Sequence, residues 1–163
     1  MSKSFRLIQW IAALVLLLYL VVLTKNIVFK KDSVRYYKQY FARDYKRYSV
    51  SKGWRKANTI PFRTINLYYR GYQHNNSNAT YNLLGNLLGF IPFGILLPLA
   101  ISWFRPAIRM FVAIIVLCLG FEMLQLYTGL GIFDVDDLIL NTVGAVIGYL
   151  CFFLFNWLQR RFF

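Results

Sequence analysis

The stretch "GIFDVDDLILNTVGAVIGYLCFFLFNWL", residues 131–158, joins a knot of carboxylates to a long apolar run. Asp134, Asp136, Asp137 and Asn141 stand where a membrane-crossing helix is expected to begin. Three of the chain's six acidic residues fall in these few positions, although the chain carries a formal net charge of +13. Crossing ~30 Å of hydrocarbon takes about 20 apolar residues. Runs of that order recur near 7–29, 83–104, 110–127 and 138–158, and 58% of the 163 residues are hydrophobic. The pattern predicts an all-α membrane protein with about four transmembrane helices, one domain in size.

The order along the chain is an anchor helix over residues 1–29, a basic aromatic segment over 30–80, and a three-helix core over 81–163. The first run is too long for a cleavable signal, and "TKNIVFKK" (24–31) has no small-x-small cleavage site, so a retained anchor is expected. Twelve of the 19 Lys and Arg lie between residues 30 and 70. Next to a membrane span, such a segment suits anionic lipid headgroups or wall polymers, and no nucleic-acid partner is expected. Within it, Val34, Tyr37, Phe41, Tyr45 and Tyr48 recur at spacings of three and four. This predicts an amphipathic helix lying in the membrane interface. Short connections place positive charge at both termini and in "RPAIR" (105–109), and negative charge at 128–137. They predict cytoplasmic termini, while the long basic segment argues the other way.

Ionisable groups inside spans are costly and are the first functional candidates. Glu122 follows the apolar run "MFVAIIVLCLGF" (110–121), with Gln125 on the same helical face. The alternative for this pair is helix-to-helix hydrogen bonding. Asp134 suits the N-cap of the last span. Asp137 and Asn141, four apart, share a face directed into the bundle, and Asp136 is expected to be the solvated member. These oxygens suit Mg²⁺ or Ca²⁺ as an alternative, but no EF-hand pattern is present and no cofactor or metal is expected. With His74 alone and no Cys pair, zinc lacks ligands; Cys118 and Cys151 read as small apolar packers. In "YNLLGNLLGFIPFG" (81–94), Asn82 and Asn86 share a face, Gly85 and Gly89 form a small-xxx-small pair, and Pro92 is expected to kink the span. Gly144 and Gly148 repeat the small-residue device. "NTIPFRTI" (58–65) breaks the basic segment at Pro61 and is placed to dip back over the polar pocket.

Taken in order, "NTIPFRTI", "NLLGNLLGFIPFG" (82–94), "FEMLQL" (121–126) and "FDVDDLILNTVGAVIGY" (133–149) resemble the VanZ-like family of small membrane proteins of Gram-positive bacteria. The resemblance implies that Asn58, Pro61 and Phe62, then Asn86, Pro92 and Gly94, then Glu122 and Gln125, then Asp134, Asp137, Asn141 and Gly144 are the motif positions. It also implies lowered susceptibility to teicoplanin-type lipoglycopeptides. Many members carry an Arg shortly before the first Asp of the final motif, whereas "TGLGIF" (128–133) has none, leaving Arg63 or another cation of the basic segment to substitute. The reading that follows is a non-enzymatic, multi-pass protein of the cell membrane, in which Glu122, Gln125, Asp134, Asp137, Asn141 and Asn86 engage a lipid-linked wall precursor or a lipoglycopeptide. Membrane lipids and a second copy of the chain are further expected partners. The alternatives are a membrane enzyme acting on a lipid phosphate or acyl group with Glu122 as general base, and a small transporter.

Overall fold

A computed structural model describes residues 3–28, 43–73 and 77–162. It is helical, with seven α-helices among the described residues: α1 (Lys3–Val28), α2 (Arg43–Lys56), α3 (Arg63–Gln73), α4 (Ser77–Gly89), α5 (Ile91–Ala100), α6 (Ala107–Thr128) and α7 (Val135–Phe162). A 3₁₀ turn, Ser102–Phe104, joins α5 to α6. Four segments are long and apolar enough to cross a membrane: Arg6–Ile27, Leu83–Ala100, Ala107–Thr128 and Val135–Leu158. The chain is a multi-pass membrane protein.

The second span differs from the single kinked helix that its sequence suggests. It is two helices, broken at Phe90, with Pro92 in the first turn of α5. Proline is tolerated there because the first N–H groups of a helix have no intrahelical partner anyway. The break leaves the Gly89 carbonyl without its usual donor, and the Tyr19 hydroxyl of α1 donates to it. In hydrocarbon an unpaired carbonyl costs several kcal/mol, so this bond ties α1 to the break. The span also ends at Ala100, short of residue 104.

α5 is the centre of the bundle, packed between α1 and α7. Phe90, Phe93 and Leu97 form the core with Ala12, Leu16 and Leu23 of α1, Met110 and Ile114 of α6, and Ala145 of α7. On the α7 side the contact is backbone to backbone. A Cβ on Gly94 would run into the Ala145 carbonyl oxygen, one on Gly144 into that of Leu87, and one on Gly148 into that of Ile91. Helices in lipid gain no hydrophobic drive from each other, so such close approach supplies the dispersion contact. The expected Gly85–Gly89 pair makes no such approach. A Cβ on Gly85 would meet nothing within 4 Å, and one on Gly89 only Leu23 Cδ1 at 3.9 Å.

Two contacts sort the chain by membrane face. Gln9 Nε2 donates to Ser102 Oγ at 2.7 Å, so the start of α1 and the 101–106 turn share one end. Gln125 Nε2 donates to the Ile27 carbonyl at 2.8 Å, so the end of α1 meets the end of α6 at the other. The expected face of Val34, Tyr37, Phe41, Tyr45 and Tyr48 lies outside the described residues and side chains. Residues 29–42 are not among those described, and α2 begins at Arg43. Beyond them the segment forms α2 and α3.

Gly144→Ala is therefore expected to lower thermal stability in detergent by about 1–3 kcal/mol, since backbone must shift to admit the methyl. Gly85→Ala should stay within about 0.5 kcal/mol of the parent. Equal melting of both variants would remove the backbone contact as a source of stability.

Candidate functional site

The acidic stretch is built by the strap that precedes α3. α6 ends on Gly129, whose φ of 72° lies in the left-handed region that glycine enters without steric cost. The turn brings Phe133 to Val135 alongside Asn58. Asn58 N donates to the Phe133 carbonyl at 2.8 Å and Val135 N to the Asn58 carbonyl at 3.0 Å, forming an isolated parallel bridge. Below it, α2 rests on the same turn: a Cβ on Gly53 would stand 3.2 Å from the Gly131 carbonyl oxygen.

From Asn58 the chain turns into α3. Asn58 Oδ1 accepts from Ile60 N at 3.1 Å, and the Ile60 carbonyl accepts from Arg63 N at 3.4 Å. Pro61 takes the second position of this turn, where its fixed φ is favoured. Phe62 takes the third with φ 65°, the position that ordinarily selects glycine. A phenylalanine there is strained by roughly 1–3 kcal/mol, and a carboxylate holds it in place.

That carboxylate is Asp136. Its Oδ1 accepts from Phe62 N at 2.5 Å; its Oδ2 accepts from Thr64 N at 2.6 Å and from Ile65 N at 3.2 Å. These N–H groups belong to the cap and first turn of α3, so α7 supplies the N-cap of another helix. Asp136 is fully buried at 0% exposure. The expectation of a solvated Asp136 is therefore wrong. Its helical angle was read correctly as differing from that of Asp137, but the face it occupies is covered by the strap and α3.

Asp134 caps its own helix: Oδ1 accepts from Asp136 N at 2.9 Å. The same oxygen accepts from Asn58 Nδ2 at 2.9 Å, and Oδ2 accepts from Thr64 Oγ1 at 2.6 Å. Its own N–H donates to Glu122 Oε2 at 2.9 Å. Glu122, 1% exposed, thus reaches from α6 to the start of α7. Asp137 Oδ1 accepts from Asn86 Nδ2 at 2.5 Å, which ties α7 to α4. Asn141, one turn further in, is 2% exposed, and its Oδ1 has no hydrogen-bond partner among the described residues.

The structure therefore brings Asn58, Glu122, Asp134 and Asp136 into one connected network, with Asp137, Asn86 and Asn141 on the adjoining face of α7. Gln125 turns away to the end of α1. Pro61 and Phe62 shape the turn while their side chains stay exposed. Pro92, Gly94 and Gly144 belong to the helix break and crossing, away from the acidic loop. The donors to Asp134 and Asp136 are backbone N–H groups, an amide and a hydroxyl. Arg63 is exposed, so these neutral donors fill the role considered for a cation. Thr64 and Ile65, which the motif reading omitted, are central to the network. The signal for them was present: Pro61 in a turn, followed by apolar or aromatic residues at 65, 68, 69 and 72. Among the described residues, no group of three or more His, Cys, Asp or Glu is arranged to hold a metal ion.

The profile of the VanZ/LLP1 family matches residues 11–156, from within α1 to within α7. The chain belongs to the VanZ/LLP1 family. Among curated proteins, protein VanZ of Enterococcus faecium is 37% identical over 76 residues. That stretch is 45% of this chain and 45% of the relative, so the match spans under half of that protein's length. No solved structure matches the chain. For a VanZ/LLP1 member, the acidic motif of α7 is then first a latch between the strap, α3 and the bundle.

Asp136→Asn tests the latch. An amide keeps one acceptor but turns an NH₂ towards N–H donors, and hydrogen bonds to a charged acceptor contribute about 1.5–3 kcal/mol. Hydrogen exchange in detergent should show faster exchange at Phe62, Thr64 and Ile65, with the mid-span amides of α6 and α7 unchanged. Unaltered protection at those three amides would dismiss Asp136 as the cap of α3.

Proposed function

We propose that this chain is an envelope protein that lowers susceptibility to teicoplanin-type lipoglycopeptides. Its polar intramembrane site engages a lipid-linked wall precursor or the lipidated drug itself. The site is the α4–α6–α7 face formed by Asn86, Glu122, Asp137 and Asn141. The family membership supports the envelope role. The observation that carries the ligand reading is the Asn141 carbonyl oxygen, buried and without a donor among the described residues. A buried acceptor left unmade costs about 1–3 kcal/mol, and a ligand hydroxyl or amide N–H offsets that cost. Wall precursors and lipoglycopeptides both present such donors on sugar and peptide groups.

The charge of the short segments supports cytoplasmic termini. In that orientation the 101–106 turn is cytoplasmic and the acidic loop meets the outer leaflet, where the drug arrives. The polar groups serve recognition rather than bond-breaking: Glu122 Oε2 holds the Asp134 N–H, and Asp137 Oδ1 holds the Asn86 amide.

Glu122→Gln separates the roles of charge and shape. The amide retains a carbonyl oxygen for the Asp134 N–H, so the variant should reach the membrane at parental level. Drug susceptibility should return to that of cells lacking the protein, read as the inhibitory concentration at matched expression. Full protection by the Gln variant would leave Glu122 a packing residue. In parallel, lipid mass spectrometry of the purified parent is expected to find a prenyl-linked phosphate retained in the presence of EDTA. A parent that retains none would remove the precursor, and loss with EDTA would bring a metal into the site.

A further inference from the structure

The end of the bundle away from the acidic loop carries a second feature. Between α5, the 3₁₀ turn and α6 lies a groove of about 540 Å³, open on the lipid-facing side. Phe93, Leu97, Phe104 and Val116 line it, with Trp103 and Arg109 at one end. From Arg109 to Val116 the groove follows α6 for about 10 Å at 1.5 Å per residue. Arg109 is held in place: its guanidinium carbon lies 4.7 Å from the centre of the Trp103 ring, and Nη1 donates to the Trp103 carbonyl at 3.4 Å. Trp103 is in turn set edge-to-face on Phe104, with centroids 4.9 Å apart. A guanidinium has five N–H donors, and stacking on an indole leaves its edge directed outward.

The depth of this arginine is informative. The Tyr149 hydroxyl of α7 donates to the Arg105 carbonyl at 2.7 Å, and Ala107 and Leu150 both line a second groove of about 510 Å³, so the start of α6 lies beside this part of α7. α7 continues to Phe162, and its apolar content persists to Leu158. Arg109 is thus about two helical turns short of the end of the apolar part of α7. A cation at that depth needs an anion or water drawn in to meet it. The carboxylates of α6 and α7 stand at the opposite end, in the network with Asn58 and Thr64. The second groove is lined by uncharged residues, so charge distinguishes the first.

We propose that this groove is a binding site for one anionic phospholipid, with an acyl chain along Phe93, Leu97 and Val116 and the headgroup phosphate on Arg109. The phosphate supplies the counter-charge that the surrounding hydrocarbon cannot. The apolar slot holds the chain, while the Trp103 stack keeps the guanidinium from swinging away to water. The site is separate from the acidic face and stands whether or not that face binds a ligand.

Native mass spectrometry of the full chain in detergent, titrated with phosphatidylglycerol or phosphatidylcholine of identical chains, tests the proposal. The first phosphatidylglycerol should bind about fivefold tighter, the worth of one base near a membrane surface. Arg109→Gln should diminish that preference while leaving thermal unfolding unchanged. Val116→Trp, at an exposed position, should weaken first binding of both lipids by filling the slot. Inorganic phosphate should not displace the bound lipid. Equal binding of the two lipids by the parent, an undiminished preference in Arg109→Gln, full binding by Val116→Trp, or displacement by phosphate would each overturn the assignment.

Discussion

The side chain of Asp136 is the point on which the arrangement of this protein turns. It extends from the first turn of α7, yet it satisfies the first turn of α3. Those N–H groups are the positive end of the α3 dipole, so the carboxylate meets both donors and charge. With Asp136 fully buried, solvent cannot take its place. The strap 58–62 must therefore lie across the start of α7, and its geometry follows. Asn58 pairs with the chain at 133–135, Pro61 turns it, and Phe62 accepts a left-handed φ because its N–H is held. Thr64 reaches both Asp134 and Asp136, so the two carboxylates are one structure.

A second constraint fixes the bundle against this latch. α7 begins in the acidic loop and crosses α4 and α5 at glycines too close for any side chain. The crossing leaves little freedom for α7 to slide, since Gly94, Gly144 and Gly148 all meet backbone on the partner helix. The break at Phe90 lies in this crossing. It lets α4 and α5 follow α7 as two short pieces, and the Tyr19 hydroxyl closes the opened carbonyl. Asn86 stands on α4 just before the break, where it meets Asp137. Loop chemistry and helix packing thus meet on α7, through Glu122 at its start, Asp137 against Asn86 and the glycines beyond.

Much of this was legible in the sequence. Apolar runs of spanning length place all four crossings, because hydrocarbon thickness imposes the same length on every solution. Glu122 stands out by its cost, and Asp134 as a cap by its place before the fourth run. The boundaries at Pro92 and Asp136 were less legible, for different reasons. A proline in an apolar run signals a disturbance, but whether a helix bends or breaks depends on a donor for the freed carbonyl, here Tyr19, 70 residues away. Asp136 reads as solvated because periodicity gives its angle on α7 and says nothing of what covers that angle. Its partners lie 71 to 74 residues earlier. The pairing of Gly85 with Gly89 fails likewise: spacing shows that a close approach is possible, and only the partner helix decides whether it is used.

The position of the carboxylates in a strongly basic protein then has a physical explanation. A cation beside Asp134 or Asp136 would bring its own desolvation cost at the edge of the hydrocarbon, where ion pairs regain little. Backbone N–H groups, an amide and a hydroxyl carry no net charge to desolvate. They are already present, since any helix beginning there leaves its first N–H groups unpaired. Within the latch, the oxygens that hold the fold are engaged by fixed donors, whereas deeper in α7 the Asn141 Oδ1 and the Thr142 hydroxyl are buried oxygens with no hydrogen-bond partner among the described residues. The Asn141 oxygen is neutral and one turn deeper than Asp137. On the proposed reading, such a site discriminates by hydrogen-bond donors rather than by charge, and the proposed ligand keeps its phosphate or lipid at headgroup level while a sugar or peptide group reaches inward.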